Sequence, residues 1–425
     1  MTHDPIGAPV QYLETTKLSS PRLAGFRLTA HVWYRFWVLL LTVSSLFWSI
    51  NACAQSPSPS KLADPVPEPA IPAILAAFDK YEVVAIPQGH GMQDLDNLIF
   101  SLIRNPEFSE KVNDIEVEFG NSLYQPLLDR YIAGEDVPFA EVQKVWRKMG
   151  QPASGASAFV EQFFPLVRAL NQKLPPGKRL RVLAGDPAMD WDQIKGFQDL
   201  MERHFDRDAS IASVMEKEVL SKHRKALMLF GTLHILHNTG GAVSRYEEDY
   251  PNLTLVISEL GIFDTDLPSL HDSKFVNWPM PALARAKGTW LGALGLDRFI
   301  PPGTRIDQDC NVHHEFPKAL QKPMEELVDA FLYLGPQDLR LSEKIPADIA
   351  LDVSYRTELQ QGGAMIGFPH RPTETPQEFD AEIVKSAADP IFKIDRPKDA
   401  NGPDAELSKA VQSCLDVKAR GKGPR

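Results

Sequence analysis

The chain has 425 residues, 43% hydrophobic and 24% charged, which is room for one large soluble domain or two modest ones with a sizeable core. Its formal net charge is −11 and it holds no Lys/Arg block of the kind that grips phosphate backbones, so nucleic acid is excluded as the expected partner. The acidic balance speaks to solubility and leaves the fold open.

From Phe36 to Ile50 the run FWVLLLTVSSLFWSI is apolar and uncharged, with Arg22, Arg27 and Arg35 before it and Ala52-Cys53-Ala54 after it. A basic flank, a short apolar stretch and a small-x-small site describe a secretory signal. Residues 1–54 are therefore expected to be a signal peptide with an N-terminal extension, cleaved after Ala54, and the product periplasmic or secreted. The run is shorter than the roughly 20 residues a membrane span prefers. Cys53 after Ala52 also admits a lipid anchor, although Asn51 fits that pattern poorly. Membrane contact is expected only through an uncleaved signal or that anchor. Cleavage would leave Cys310 and Cys414, which either pair in an oxidising compartment or stand as two unrelated thiols.

Residues 55–72, QSPSPSKLADPVPEPAIP, read as an extended linker. From 73 to about 360 short β-branched runs alternate with segments of helical period. That pattern predicts an α/β domain with a mostly parallel central sheet flanked by helices, and long loops over the strand carboxyl ends. The expected strands are EVVAI (82–86), DIEVEF (114–119), LRVLAG (180–185), ALMLFG (226–231), TLVISEL (254–260) and AFLYLG (330–335). Phe159, Phe163, Val167 and Leu170 mark one helix face, and Leu123, Leu127 and Tyr131 another. Asn105-Pro106 stops the helix after the first strand, and Asp208 reads as an N-cap or first-turn residue. Residues 236–253 and 262–325 read as long irregular loops, and 361–425 as a poorly packed tail with one helix near 376–388.

Ligands of open α/β sheets bind beyond the strands' carboxyl ends. Just past those ends stand Gln88 and His90, then Glu118, Asp186 with Asp190 a turn later, His234, and Glu259. Taken singly, each has a bland reading. A histidine after a strand is usually a loop hydrogen-bond partner, Glu116 and Glu118 share a face that an edge strand would leave solvated, and Asp186 before Pro187 initiates a turn. Their joint occurrence at equivalent ends argues for a site. No G-x-S-x-G elbow, P-loop or H-E-x-x-H helix is present, so a hydrolase here would use water as nucleophile. His90 is then the expected base and Glu118 its orienting carboxylate, with His234 as a second acid/base and Arg207 to stabilise developing charge. Gln88, Asp186 and Asp190 would line the substrate. The same His90, Glu118 and His234 could instead hold a divalent metal.

The order of these motifs resembles the superfamily of erythromycin esterase, the haem-associated ChaN proteins and the TIKI/TraB proteases. The parallels are Pro87-Gln88-Gly89-His90, Glu118 in DIEVEFGN, Arg207-Asp208 opening a helix, and LFGTLH with His234. They cover roughly residues 75–260 and extend weakly to VDAFLYLGP at 328–336, closest to an exported, erythromycin-esterase-like branch. The resemblance implies an esterase-like hydrolase acting on a small-molecule substrate. Alternatively it implies a ChaN-type protein binding haem, iron or another small ligand. Gln88 departs from the family's glutamate, and Pro87 from its preceding glycine. An amide can neither accept the proton nor carry the charge of that carboxylate, so a catalytically degenerate member is the third implication.

Overall fold

A computed structural model describes residues 62–88, 91–150, 157–195, 206–260, 274–299, 310–313, 316–336 and 351–365, with isolated positions between them. The expected signal, Cys53 and most of the tail, including Cys414, lie outside the described residues. Cys310 is disulfide-bonded.

All six expected strands form within two residues of their predicted ends: β2 (Val83–Pro87), β3 (Asp114–Asn121), β4 (Arg181–Asp186), β5 (Ala226–Phe230), β6 (Thr254–Glu259) and β10 (Ala330–Tyr333). β2 and β5 are buried along their whole length, which is why they read as continuous apolar runs. Two further strands, β1 (Pro67–Pro69) and β7 (Ala282–Arg285), complete an eight-stranded sheet of order β1-β7-β10-β6-β2-β5-β3-β4. Pairing is parallel from β10 to β4 and antiparallel at β7, against both β1 and β10. The protein is thus α/β, with a mixed and mostly parallel sheet. A short separate ladder joins β8 (Arg305–Ile306) to β9 (Val312–His313).

The end of the segment expected to be linker instead supplies β1 and the first residues of the helix Ala70–Ala77. Proline is tolerated there because β1 is an edge strand and helix first turns need no amide donors. β7 was missed because it falls in a stretch broken by prolines, and its pairing with β10 is a tertiary event. It is held by a second core in which Phe275 stacks on Tyr333 and meets Trp278 edge-on.

Helices cover both faces. On one face pack Gln93–Arg104, Gln125–Ala133 and Ala158–Asn171, with Phe119 of β3 set among Phe159, Phe163 and Phe164 at centroid distances of 5.5, 5.1 and 5.7 Å. Each such ring pair adds about 0.5–1.5 kcal/mol beyond area burial. On the other face pack Arg207–Glu218 and Ala242–Tyr246. Asn105 ends Gln93–Arg104 and, with its side chain accepting from the Glu107 amide at 2.9 Å, caps the next helix, Pro106–Lys111.

Candidate functional site

β3 is an interior strand, so Glu116 and Glu118 are not solvated as an edge would leave them: they are 0% and 4% exposed. Together with Asp114 they form a column of three buried carboxylates on one face, because side chains two apart on a strand point the same way. Glu118 tops this column at the carboxyl end. Its Oε1 accepts from Arg207 Nη2 at 3.0 Å and its Oε2 from the Gly231 amide at 2.5 Å.

Arg207 opens the helix Arg207–Glu218 and bridges two strands. Its Nε donates to Asp186 Oδ1 at 2.8 Å, while Asp186 Oδ2 accepts from the Gly150 amide at 2.7 Å. Asp186, read from sequence as a turn former or substrate contact, is 1% exposed and is an ion-pair member at the end of β4. Burial pushes its carboxyl up, against the pull of Arg207 and the Gly150 amide. For Arg207 burial works against the charge, and Asp186 and Glu118 reverse that, holding the guanidinium above its usual value. Arg207 therefore clamps Glu118 and Asp186, leaving three of its five N–H groups for other partners.

His234 lies in the short helix Thr232–Ile235 that follows β5. Its Nδ1 is 2.7 Å from Asp208 Oδ1, and its Nε2 is 3.9 Å from Glu118 Oε1. Asp208 Oδ1 also accepts from the Ala242 amide at 2.9 Å. A proton on His234 Nδ1 would be donated to Asp208 Oδ1, and Nε2 is the ring nitrogen turned toward Glu118. Asp208, expected as an N-cap or first-turn residue, does stand in the first turn, but its pairing with His234 escaped the sequence reading. The cap is Asp206, whose side chain accepts from the Ala209 amide at 3.1 Å, and this frees Asp208 for His234. The local signal was the Asp206-Arg207-Asp208 triplet, with one acid more than a cap requires.

The remaining strand-end residues separate. Gln88 is buried just past the end of β2, its backbone N–H donating to the Phe230 carbonyl at 2.9 Å. His90 lies outside the described residues. Asp190 caps the turn Trp191–Gln193, accepting from the Asp192 amide and from Gln193 Nε2. Glu259 does not join Glu118; it pairs with the buried Arg340, which also holds Asp94 at 3.2 Å. Burial pushes Glu259 up and Arg340 draws it back, leaving it at about 7.

In the described part of the crevice both Glu118 oxygens already accept, one of them from a guanidinium, while His234 has Nδ1 set against Asp208 and keeps Nε2 open. Among the described residues no group of three or more His, Cys, Asp or Glu is arranged to hold a metal ion. His237 is no better as a haem ligand. Its ring nitrogens lie 2.7 Å from Glu247 and 2.9 Å from Asp329.

No protein-family model matches the chain, and no curated protein matches it. Solved structures similar to it include the type III effector HopBA1, at 15% identity and TM-score 0.33, covering 48% of this chain and 88% of that one. A Bacillus cereus protein is 10% identical with TM-score 0.36, covering 61% and 89%. ChaN of Campylobacter jejuni, described with cofacial haem binding, is 14% identical with TM-score 0.28, covering 44% and 84%. Likenesses of this size carry no activity across.

Proposed function

We propose that this chain is a hydrolase of small ester-like substrates in which His234, oriented by Asp208, activates water. The observation that carries the reading is the run Asp208–His234–Glu118–Arg207–Asp186, a polarised imidazole set against a clamped carboxylate at the ends of three strands. His234 Nε2 takes a proton from water as the hydroxide oxygen adds to the substrate carbonyl. The imidazolium, stabilised by Asp208, then returns that proton to the leaving alkoxide. Glu118 anchors water or substrate hydroxyl, and the N–H groups of Arg207 that face neither carboxylate meet the developing oxyanion. His90, two residues past Gln88 in sequence, is kept as a candidate second acid/base.

The base thereby moves from His90, where the sequence put it, to His234, and Arg207 keeps its expected role of stabilising developing charge. The test is a panel of esters and lactones assayed with wild type, His234→Ala and His90→Ala. Loss of about 10²–10⁴-fold in His234→Ala supports the proposal. Equal background rates in wild type and variant end it.

A specific residue favours one second reading, loss of the chemistry with retention of the fold. Gln88 sits buried where the resemblance expects a glutamate. Gain of hydrolysis in Gln88→Glu would place this protein among weakened members. Export is proposed from the N-terminal sequence alone, and sequencing the mature amino terminus for a start after Ala54 tests it.

A further inference from the structure

At the opposite, amino-terminal end of β3 and β4 lies an open cleft of about 430 Å³. Arg179, Arg181 and Arg224 line it, with Asn113, Ile132 and Pro176 among their neighbours. That is within the size range of small-molecule sites, and its walls combine apolar surface with convergent cationic groups.

The arginines are not equivalent. Asp114, 0% exposed at the foot of the carboxylate column, holds two of them from behind. Its Oδ1 accepts from Arg181 Nε at 2.7 Å and Arg224 Nη2 at 2.9 Å, and its Oδ2 from Arg224 Nε at 2.6 Å. One buried carboxylate thus fixes two guanidinium planes, and Glu218 takes Arg181 Nη1 at 3.0 Å. Arg224 Nη1 has no hydrogen-bond partner among the described residues. Arg179 is exposed, and its Nε and Nη1 reach only the carbonyls of Leu174 and Ala133, each at 3.5 Å, the limit of a hydrogen bond. Among the described residues it has no ion-pair partner.

A guanidinium fork with unused donors, beside a second guanidinium that is already rigid, is built for a planar or tetrahedral oxyanion. We propose that this cleft binds a small organic anion through a carboxylate or phosphate headgroup set between Arg179 and Arg224. The ligand's apolar body would lie against Ile132 and Pro176. The site is separate from the strand-end crevice, and its occupancy does not depend on the hydrolase reading. Glu218, which touches Arg181, ends the helix that Arg207 opens, so one rigid element joins the two sites.

The test uses the full chain, titrated with inorganic phosphate and separately with hexanoate at constant ionic strength, with chloride as the control. Melting temperature and calorimetry are the readouts. The expected result is saturable stabilisation by one of the two anions, which identifies the headgroup. Arg179→Ala should weaken it about tenfold, the loss expected for one charge-assisted contact. His234→Ala should leave it unchanged. Arg179→Gln serves as a second variant, and each variant's own melting curve reports that it folds. No saturable effect beyond chloride, or equal binding by wild type and both Arg179 variants, overturns the proposal. So does loss of binding in His234→Ala.

Discussion

Asp114, Glu116 and Glu118 share one face of one strand and meet three different fates. Arginines neutralise the outer two, while among the described residues Glu116 has no hydrogen-bond partner for either oxygen and burial pushes its carboxyl well above the usual range. Asp96 is a parallel case on the helix Gln93–Arg104. Burial, with Glu343 and Asp94 adding to it, lifts Asp96 from an ordinary 3.8 to about 9. It is therefore protonated in the folded protein and ionised in the unfolded chain at neutral pH. Asp96→Asn removes that mismatch and is expected to stabilise the protein by about 2–4 kcal/mol at pH 7, read from urea unfolding. Asp208→Asn acts on chemistry instead. An amide nitrogen facing His234 Nδ1 would force the proton to Nε2 and abolish the base. We expect kcat/KM to fall at least about 10²-fold with an unchanged circular dichroism spectrum, and a merely structural Asp208 would show the reverse pattern.

At the scale of elements, the Phe230 ring of β5 reaches past β3 to the backbone of β4, and glycine at position 185 makes room for it. A Cβ there would lie 2.5 Å from the Phe230 ring and 3.0 Å from Glu116 Oε1. Gly185→Ala should cost about 1–3 kcal/mol and loosen the adjoining Asp186–Arg207 pair, seen as a lowered melting temperature together with reduced activity. A second element-level device is the clamp of His237, which ties the segment after Thr232–Ile235 to the start of β10. Burial alone would depress its imidazole, but Asp329 and Glu247 overturn that and raise it from 6.5 to about 9. The folded value exceeds the unfolded one, so its contribution is complete below about pH 6.5 and disappears as pH rises through 9. His237→Gln is expected to lose about 2–3 kcal/mol at pH 6 and little at pH 9.5, measured by urea unfolding at both pH values.

For the whole molecule these titrations add with one sign. Asp96, Glu259 and His237 each bind more protons folded than unfolded, so stability falls as pH rises from about 4.5 to 9. The acid limb is set by groups of opposite sense. Lys222 holds Glu218 low and the Tyr355 amide does the same for Asp352, so their support is lost as pH drops through those depressed values. The urea midpoint should therefore be higher at pH 6 than at pH 9. Combining Asp96→Asn with His237→Gln should flatten the alkaline slope, and a wild-type profile flat from 6 to 9 would contradict the assignment.

The alternation of strands and helices, the six main strands and the α/β class were legible in the sequence, because each segment carries its own hydrophobic period and its own stop signals. Candidate site residues were legible as a set for the same reason: carboxyl ends of parallel strands can be found once the strands are. Which of them meet was decided by sheet order. β5 inserts between β2 and β3, bringing His234 beside Glu118, and Arg207 reaches Glu118 from 89 positions away in sequence. Glu259 follows β6 to the other side of β2 and finds Arg340 instead. Asp208 became a partner of His234 only because Asp206 had taken the helix cap. Local periodicity sets the elements, whereas burial and non-local pairing set the charge partners, since an ion pair depends on which strands become neighbours and not on how far apart they stand in the chain.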